Sequence, residues 1–117
     1  MTLFPWQKNK EIDRFANVVA DEFYSRIQPD MANAHFDDVN MKVENKKELK
    51  NKLNNAGNVN QALGAVINEF RKFRDSQKLG IYGKARLHMK FMERLTELGY
   101  SQDIAKKLNE EILFKTA

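Results

Sequence analysis

Histidine and cysteine, which often carry nucleophilic, acid–base or metal chemistry, are scarce in this chain. The sequence has two histidines, His35 and His88, and no cysteine. A cysteine nucleophile, an iron–sulfur cluster and a cysteine-containing zinc site are therefore excluded. Neither histidine belongs to a pattern such as H-E-x-x-H, which sets two metal ligands on one helical face. We expect no metal and no other cofactor.

The acidic residues do not indicate a catalytic pair. Neighbours in sequence point in different directions on a helix, so we interpret three adjacent pairs as solvated: Asp21-Glu22, Asp37-Asp38 and Glu110-Glu111. His35 precedes one of these pairs, and we interpret that segment as a solvated turn rather than a cation site. We predict a protein without enzymatic activity. The alternative is a small enzyme in which scattered acids converge with His88 or Tyr82.

Basic residues are concentrated between Arg71 and Arg94. Eight basic residues stand there against two acidic ones, a local net charge of +6 in a chain with a total of +4. Steps of three and four residues place these side chains along one side of each of two helices. We predict that the two stripes merge into one positive binding surface, formed by Arg71, Arg74, Lys78, Tyr82, Lys84, Arg86, Lys90 and Arg94.

This surface has two predicted kinds of partner. We expect a non-enzymatic interaction module of the bacterial cytoplasm that binds another protein through it. The alternative is a nucleic-acid-binding protein, because arginine and lysine stripes neutralise phosphates. A homodimer is a further alternative for the assembly.

A glycine-bounded joint, Gly80-Ile81-Tyr82-Gly83, lies between the two basic stripes. These four residues resemble the G-x-x-G loop of KH domains, which clamps a nucleic-acid backbone. KH domains also contain a three-stranded sheet, which the rest of the sequence does not indicate. From the residues alone we predict that Gly80 ends a helix and that Ile81 and Tyr82 fold back onto the core.

The first residues combine aromatic and basic side chains. Because Pro5 is excluded from a helix interior, we predict an extended leader over residues 1–8 that closes the core. In the alternative, Phe4 and Trp6 contact a partner or lipid headgroups. No stretch approaches the roughly 18 apolar residues that cross a bilayer, and no signal sequence is evident. A cytoplasmic location is therefore expected.

Apolar residues at helical spacing predict the elements that position these side chains. The first predicted helix covers about residues 9–27, the next covers 46–56 with Gly57 at its end, and the next covers 58–78. A further helix ends at Leu98, before Gly99, and the last one begins after a Ser101 cap. Residues 28–45 are predicted as an irregular loop. The alternatives are a short helical turn that begins at Pro29 and a strand around 36–43 that pairs across a dimer.

The predicted fold is all-α. At 117 residues one core is the default, so we predict a single compact domain over 1–117 with four or five helices. Short connectors favour antiparallel neighbours, and we therefore predict an antiparallel helical hairpin at 60–98.

Overall fold

Five α-helices make up the part of the chain that the structure describes, and the predicted all-α fold is confirmed. The computed structural model describes residues 5–37 and 45–116, and the side chains of residues 5, 6 and 37 lie outside that description. The helices are α1 Pro5–Arg26, α2 Pro29–Asp37, α3 Lys46–Gln77, α4 Ile81–Glu97 and α5 Gln102–Thr116. Most of the strand predicted around 36–43, as an alternative, lies outside the described residues, and its first two residues belong to α2.

The starts of α1 and α2 correct two predictions. Residues 5–8 are helical rather than an extended leader, and residues 29–37 are helical rather than irregular. Both helices begin at a proline. A proline at the first helical position lacks only an N–H that has no partner within the helix, and its fixed φ suits the first turn. Ala32 is fully buried and anchors α2 to the rest of the molecule.

α3 is one continuous helix of 32 residues, so the predicted break at Gly57 is wrong. A glycine inside a helix costs about 1 kcal/mol relative to alanine, which neighbouring contacts offset here. Just beyond it Val59 is fully buried. Just before it, the side-chain amide of Asn55 donates to the carbonyl oxygen of Met31 at 3.1 Å. The helix start is capped by Asn45, whose Oδ1 accepts from the Glu48 N–H at 2.8 Å.

The joint between α3 and α4 also differs from its prediction. α3 ends at Lys78, which adopts the left-handed conformation (φ 52°, ψ 51°). Gly80 is the N-cap of α4, and Gly83 lies within that helix. The G-x-x-G segment is therefore the start of a helix rather than a KH-like loop. Ile81 and Tyr82 are exposed instead of folded onto the core, because in the first turn of α4 it is Gly83 that lies against the core residues Leu79 and Ile12.

The end of α4 and the start of α5 agree with their predictions. Gly99 follows α4 with a φ of +110°, which a residue with a side chain rarely adopts, and this explains why the helix stops there. Ser101 accepts the Ile104 N–H at 3.1 Å through its hydroxyl oxygen and thus caps the first turn of α5.

α1 and α4 run parallel. Three contacts join them and the segments that follow them, and each links residues 73 positions apart: Asp13 with Arg86, Asp21 with Arg94, and Ile27 with Tyr100. A constant offset requires two chains that advance in the same direction. α3 runs antiparallel to α1, because Phe15 stacks on Phe73 while Arg26, further along α1, shares a groove with Ala62.

The antiparallel arrangement predicted at 60–98 agrees with these directions, because α3 runs against α1 and α4 runs with it, but this pair does not form the main helix contact. α4 makes its most extensive contact with α1 and its next with α5, whereas α3 packs on α5, α2 and α1. α3 reaches α4 mainly through the ring of Phe70, which lies 5.2 Å from the rings of both His88 and Phe91. α3 and α4 follow one another in the sequence but are not main packing partners, because the carboxylates that bind the arginines of α4 belong largely to α1.

The first part of α3 extends beyond the bundle. The molecule measures 58 × 23 × 21 Å, and a helix of 32 residues is about 48 Å long at 1.5 Å per residue. Leu49 and Leu53 on this extension are 45% and 64% exposed. Among the described helices, none is both long enough and apolar enough to cross a membrane.

Candidate functional site

The basic stripe of α4 is turned towards the acidic residues of α1. Arg86 donates from Nε and Nη2 to the two carboxylate oxygens of Asp13, both at 2.9 Å. Two turns further on, Arg94 donates from Nε to Asp21 at 2.9 Å. We call these four residues the α1–α4 seam. The hydrogen bond with Asp13 raises the pKa of the Arg86 guanidinium, and its positive charge is paired with a carboxylate of the same chain.

Carboxylates of α4 itself also contact the basic residues of this stripe. Arg94 contacts Glu97 at 2.9 Å in addition to Asp21. Lys90 lies 3.4 Å from Glu93 on its own helix. The stripe is therefore mostly neutralised by carboxylates of α1 and α4, and most of its positive charge is not available as a free surface.

The basic stripe of α3 points to a different element. Arg71 donates to the main-chain carbonyl of Lys115, and Arg74 donates to that of Thr116. These carbonyls belong to the last turn of α5, where a helix lacks internal partners and carries partial negative charge. The two arginines therefore cap α5. The predicted merging of the two stripes into one surface is not found, because each stripe faces its own partner helix.

Positive charge stays open at the joint between the two stripes. Within the described residues, neither Lys78 nor Lys84 has a carboxylate at salt-bridge distance, and both side chains are exposed. Beside them Ile81 is 88% exposed and Tyr82 is 77% exposed. We call these four residues the α3–α4 corner. It combines two large apolar side chains with two unpaired ammonium groups.

A small cavity of about 80 Å³ lies next to the corner, between α3, α4 and α5. We call it the Arg74 cavity. Its floor is apolar, and its polar rim is basic. The lining residues are Phe70, Arg74, Lys84, Leu87, His88, Leu113 and Thr116. Arg74 of α3 and Lys84 of α4 both line this cavity.

His88 is held in place at this cavity. Its Nδ1 lies 2.9 Å from Oδ1 of Asn109, and its ring meets the edge of Phe70. Burial lowers the pKa of the His88 imidazole, and the hydrogen bond to Asn109 opposes this only in part. The ring is therefore neutral at pH 7. Because the amide oxygen can only accept, this contact places the hydrogen on Nδ1 and leaves Nε2 without one.

The other predicted site residues lie elsewhere or outside the description. His35 is in α2, and no group of three potential metal ligands occurs among the described residues. Phe4 and the side chain of Trp6 lie outside the described residues, so the predicted N-terminal contact is not tested. An open cavity of about 260 Å³ lies near Phe36 and Phe114, and the described residues that line it include no histidine and no arginine.

Sequence analysis missed the acids that neutralise the α4 stripe. Asp13 and Asp21 are eight residues apart in α1, and Arg86 and Arg94 are eight residues apart in α4. Equal spacing of opposite charges on two amphipathic helices is the signal that would have paired them. Asn109 and Thr116, which hold His88 and Arg74, carry no such signal because their roles depend on how α5 is docked.

Comparisons with known proteins add no relative. No family model, no curated protein and no solved structure matches this chain.

Proposed function

We propose that this chain is a non-enzymatic interaction module that binds an acidic protein segment through the α3–α4 corner. The observation that carries this proposal is the near-complete exposure of Ile81 and Tyr82 between two lysines without carboxylate partners. Large apolar side chains grouped on a surface often mark a contact with another macromolecule. Tyrosine is also enriched at the centres of such contacts.

Charge complementarity selects the partner. The corner and the nearby Arg71, Lys72 and Arg74 carry positive charge, and Asp75 is the acidic residue among them. A partner segment with aspartate or glutamate around an apolar anchor would match both features of the corner, since complementary charges guide association and an anchor supplies affinity. Binding through the whole 71–94 surface is not supported, because the α1–α4 seam uses Arg86 and Arg94 internally.

Selection of peptides from a random library displayed on phage, against the immobilised full chain, tests this proposal. We expect enriched peptides to be acidic and to contain a large apolar residue. Binding of those peptides should be lost in the double variant Ile81→Ser/Tyr82→Ser and kept in Val18→Ser. Val18 is the matched control, because it is an apolar residue of α1 that is 48% exposed and away from the corner.

Two results would overturn the proposal. The first is a failure of the peptide selection: either no acidic peptide is enriched, or the enriched peptides bind the double variant with the same affinity as the unaltered chain. The second is binding of DNA or RNA oligonucleotides with a steep loss of affinity as salt increases, abolished by Lys78→Glu/Lys84→Glu. That result would assign the corner to nucleic-acid phosphates instead.

A further inference from the structure

We infer that the Arg74 cavity is a binding site for a small oxyanion. This inference deepens the proposed function and rests on it for the biological source of the ligand, which is the carboxylate of an acidic residue in the bound segment. The residues that carry it are Arg74 of α3 and Lys84 of α4, which reach one cavity.

The size of the cavity fits such a group. A volume of about 80 Å³ holds two or three water molecules at ~30 Å³ each, which is the space that a carboxylate or phosphate group needs. A ligand that inserts its charged end there would leave the rest of the partner outside, on the α3–α4 corner.

The described residues that line the cavity carry charge of one sign. They include two permanent cations, Arg74 and Lys84, and no aspartate or glutamate. Arg74 uses Nε towards Asp75 at 3.3 Å and Nη1 towards the Thr116 carbonyl. A guanidinium has five N–H donors, so hydrogens remain on Nη1 and Nη2 for a ligand. Lys84 has no carboxylate partner within the described residues and supplies a second donor.

The surroundings strengthen an interaction with an anion. Phe70 and Leu87 are buried and form part of an apolar floor, which lowers the local dielectric and makes charge-assisted hydrogen bonds stronger than in water. The positive end of the α4 dipole lies at residues 81–84, close to Lys84. The negative end of α5 does not compete for the ligand, because Arg71 and Arg74 already donate to its last carbonyls.

His88 gives the site an internal reporter. An anion bound beside a neutral imidazole stabilises its protonated form, so occupancy of the cavity raises the pKa of His88. The ring carbons and amide of His88 are therefore suitable signals for measuring binding by NMR, independently of any partner protein.

The test is an NMR titration of the full chain with sodium acetate and, separately, with inorganic phosphate, at constant pH and with ionic strength held by sodium chloride. We expect saturable shifts of the signals of Lys84, His88 and Thr116. In Lys84→Ala we expect affinity to fall roughly tenfold, as for the loss of one charge-assisted hydrogen bond in a partly buried site. Lys84 is exposed, so this variant is expected to fold.

Lys72→Ala is the matched control. Lys72 is an exposed lysine of α3 two residues from Arg74 and therefore points to another face of the helix. Affinity unchanged in Lys72→Ala and reduced in Lys84→Ala supports the site. Shifts that stay linear with both anions, or that decrease equally in the two variants, overturn it, since they would report general ionic screening.

The two proposals fail separately. Saturable binding of acetate or phosphate in a chain that selects no acidic peptide keeps the oxyanion site and rejects the proposed partner. Selected peptides whose affinity is unchanged by Lys84→Ala keep the interaction module and reject the cavity as the place where their carboxylates bind. Binding of phosphate without acetate rejects the carboxylate source and keeps the site for a phosphate group.

Discussion

In the α1–α4 seam, two nitrogens of Arg86 lie 2.9 Å from the carboxylate oxygens of Asp13. In the α3–α4 corner, Lys84 has no carboxylate partner within the described residues, although it stands only two positions earlier in the same helix. One side of α4 thus uses positive charge to fix a neighbouring helix, and its other side presents positive charge to solvent. A basic stripe in a sequence can therefore serve the fold as readily as it serves a ligand.

The comparison also shows what makes the seam internal. Its acids and its arginines repeat at the same eight-residue interval on two parallel helices, so both pairs close together. Lys78 and Lys84 have no carboxylate partner within the described residues. Variants that disturb one region and spare the other test this contrast.

Phe70→Ala should produce the largest effect, because Phe70 supports both regions. Its ring is buried and lies 5.9 Å from Phe15 of α1 and 5.2 Å from Phe91 of α4. We expect a loss of about 3–5 kcal/mol in the free energy of unfolding, as for other buried phenylalanines. Urea denaturation followed by circular dichroism measures it. A loss below about 1 kcal/mol would mean that α3 does not join the two regions.

Tyr100→Phe should weaken the buried end of the parallel α1–α4 contact. The Tyr100 hydroxyl donates to the Ile27 carbonyl just after α1, and burial raises the pKa of this phenol. Removal of the donor leaves a buried carbonyl without its partner, and we expect a loss of about 1–3 kcal/mol in the free energy of unfolding. Tyr24→Phe is the control, since no hydrogen bond of its hydroxyl is found within the described residues. Equal losses in the two variants would contradict this role.

The seam itself should contribute about 1 kcal/mol of pairwise coupling, which is the upper part of the range for partly exposed ion pairs. The double-mutant cycle of Asp13→Asn and Arg86→Gln isolates this coupling from other effects of each substitution. We expect it to decrease as salt is added, because the pair is partly exposed. Coupling near zero at low salt would remove the distinction between the seam and the corner.

Acid should weaken the fold through His88. Its pKa is lowered in the folded chain, whereas the unfolded chain binds a proton with the ordinary value of about 6.5. Between the lowered value and 6.5 the unfolded state holds more protons, so the free energy of unfolding is fully present above that range and falls as pH decreases through it. His88→Gln should show a shallower decrease than the unaltered chain in urea denaturation at successive pH values. Identical slopes would contradict a buried neutral ring.

Lys84→Ala should have the smallest effect on stability. An exposed lysine without a carboxylate partner changes the free energy of unfolding by no more than about 0.5 kcal/mol. The matched variant Arg86→Ala, on the same helix, should be clearly less stable because it leaves Asp13 without its partner. If Lys84→Ala destabilises the chain as much as Arg86→Ala, then Lys84 stabilises the folded state and the corner is not an open surface.

Local features of the fold were predictable from the sequence. Helical spacing identified the buried stripe of α1, and Gly99 and Ser101 marked the end of one helix and the start of the next. These signals involve residues within a few positions of one another. Gly57 and Pro5 were misread for a related reason: their preferences are worth only about 1 kcal/mol or depend on position within the turn, and packing decides the outcome.

The sequence by itself determined which faces of the helices are apolar and which are charged. The tertiary structure alone decided that α4 lies along α1, that Arg71 and Arg74 cap α5, and that Arg74 and Lys84 share a cavity. Periodicity indicates that an apolar or charged helix face packs against another element. It does not identify that element, because the contacting residues are separated by about 40 to 73 positions in the sequence. Only the docking of the helices distinguishes a charge that holds the fold together from one that remains open to a ligand.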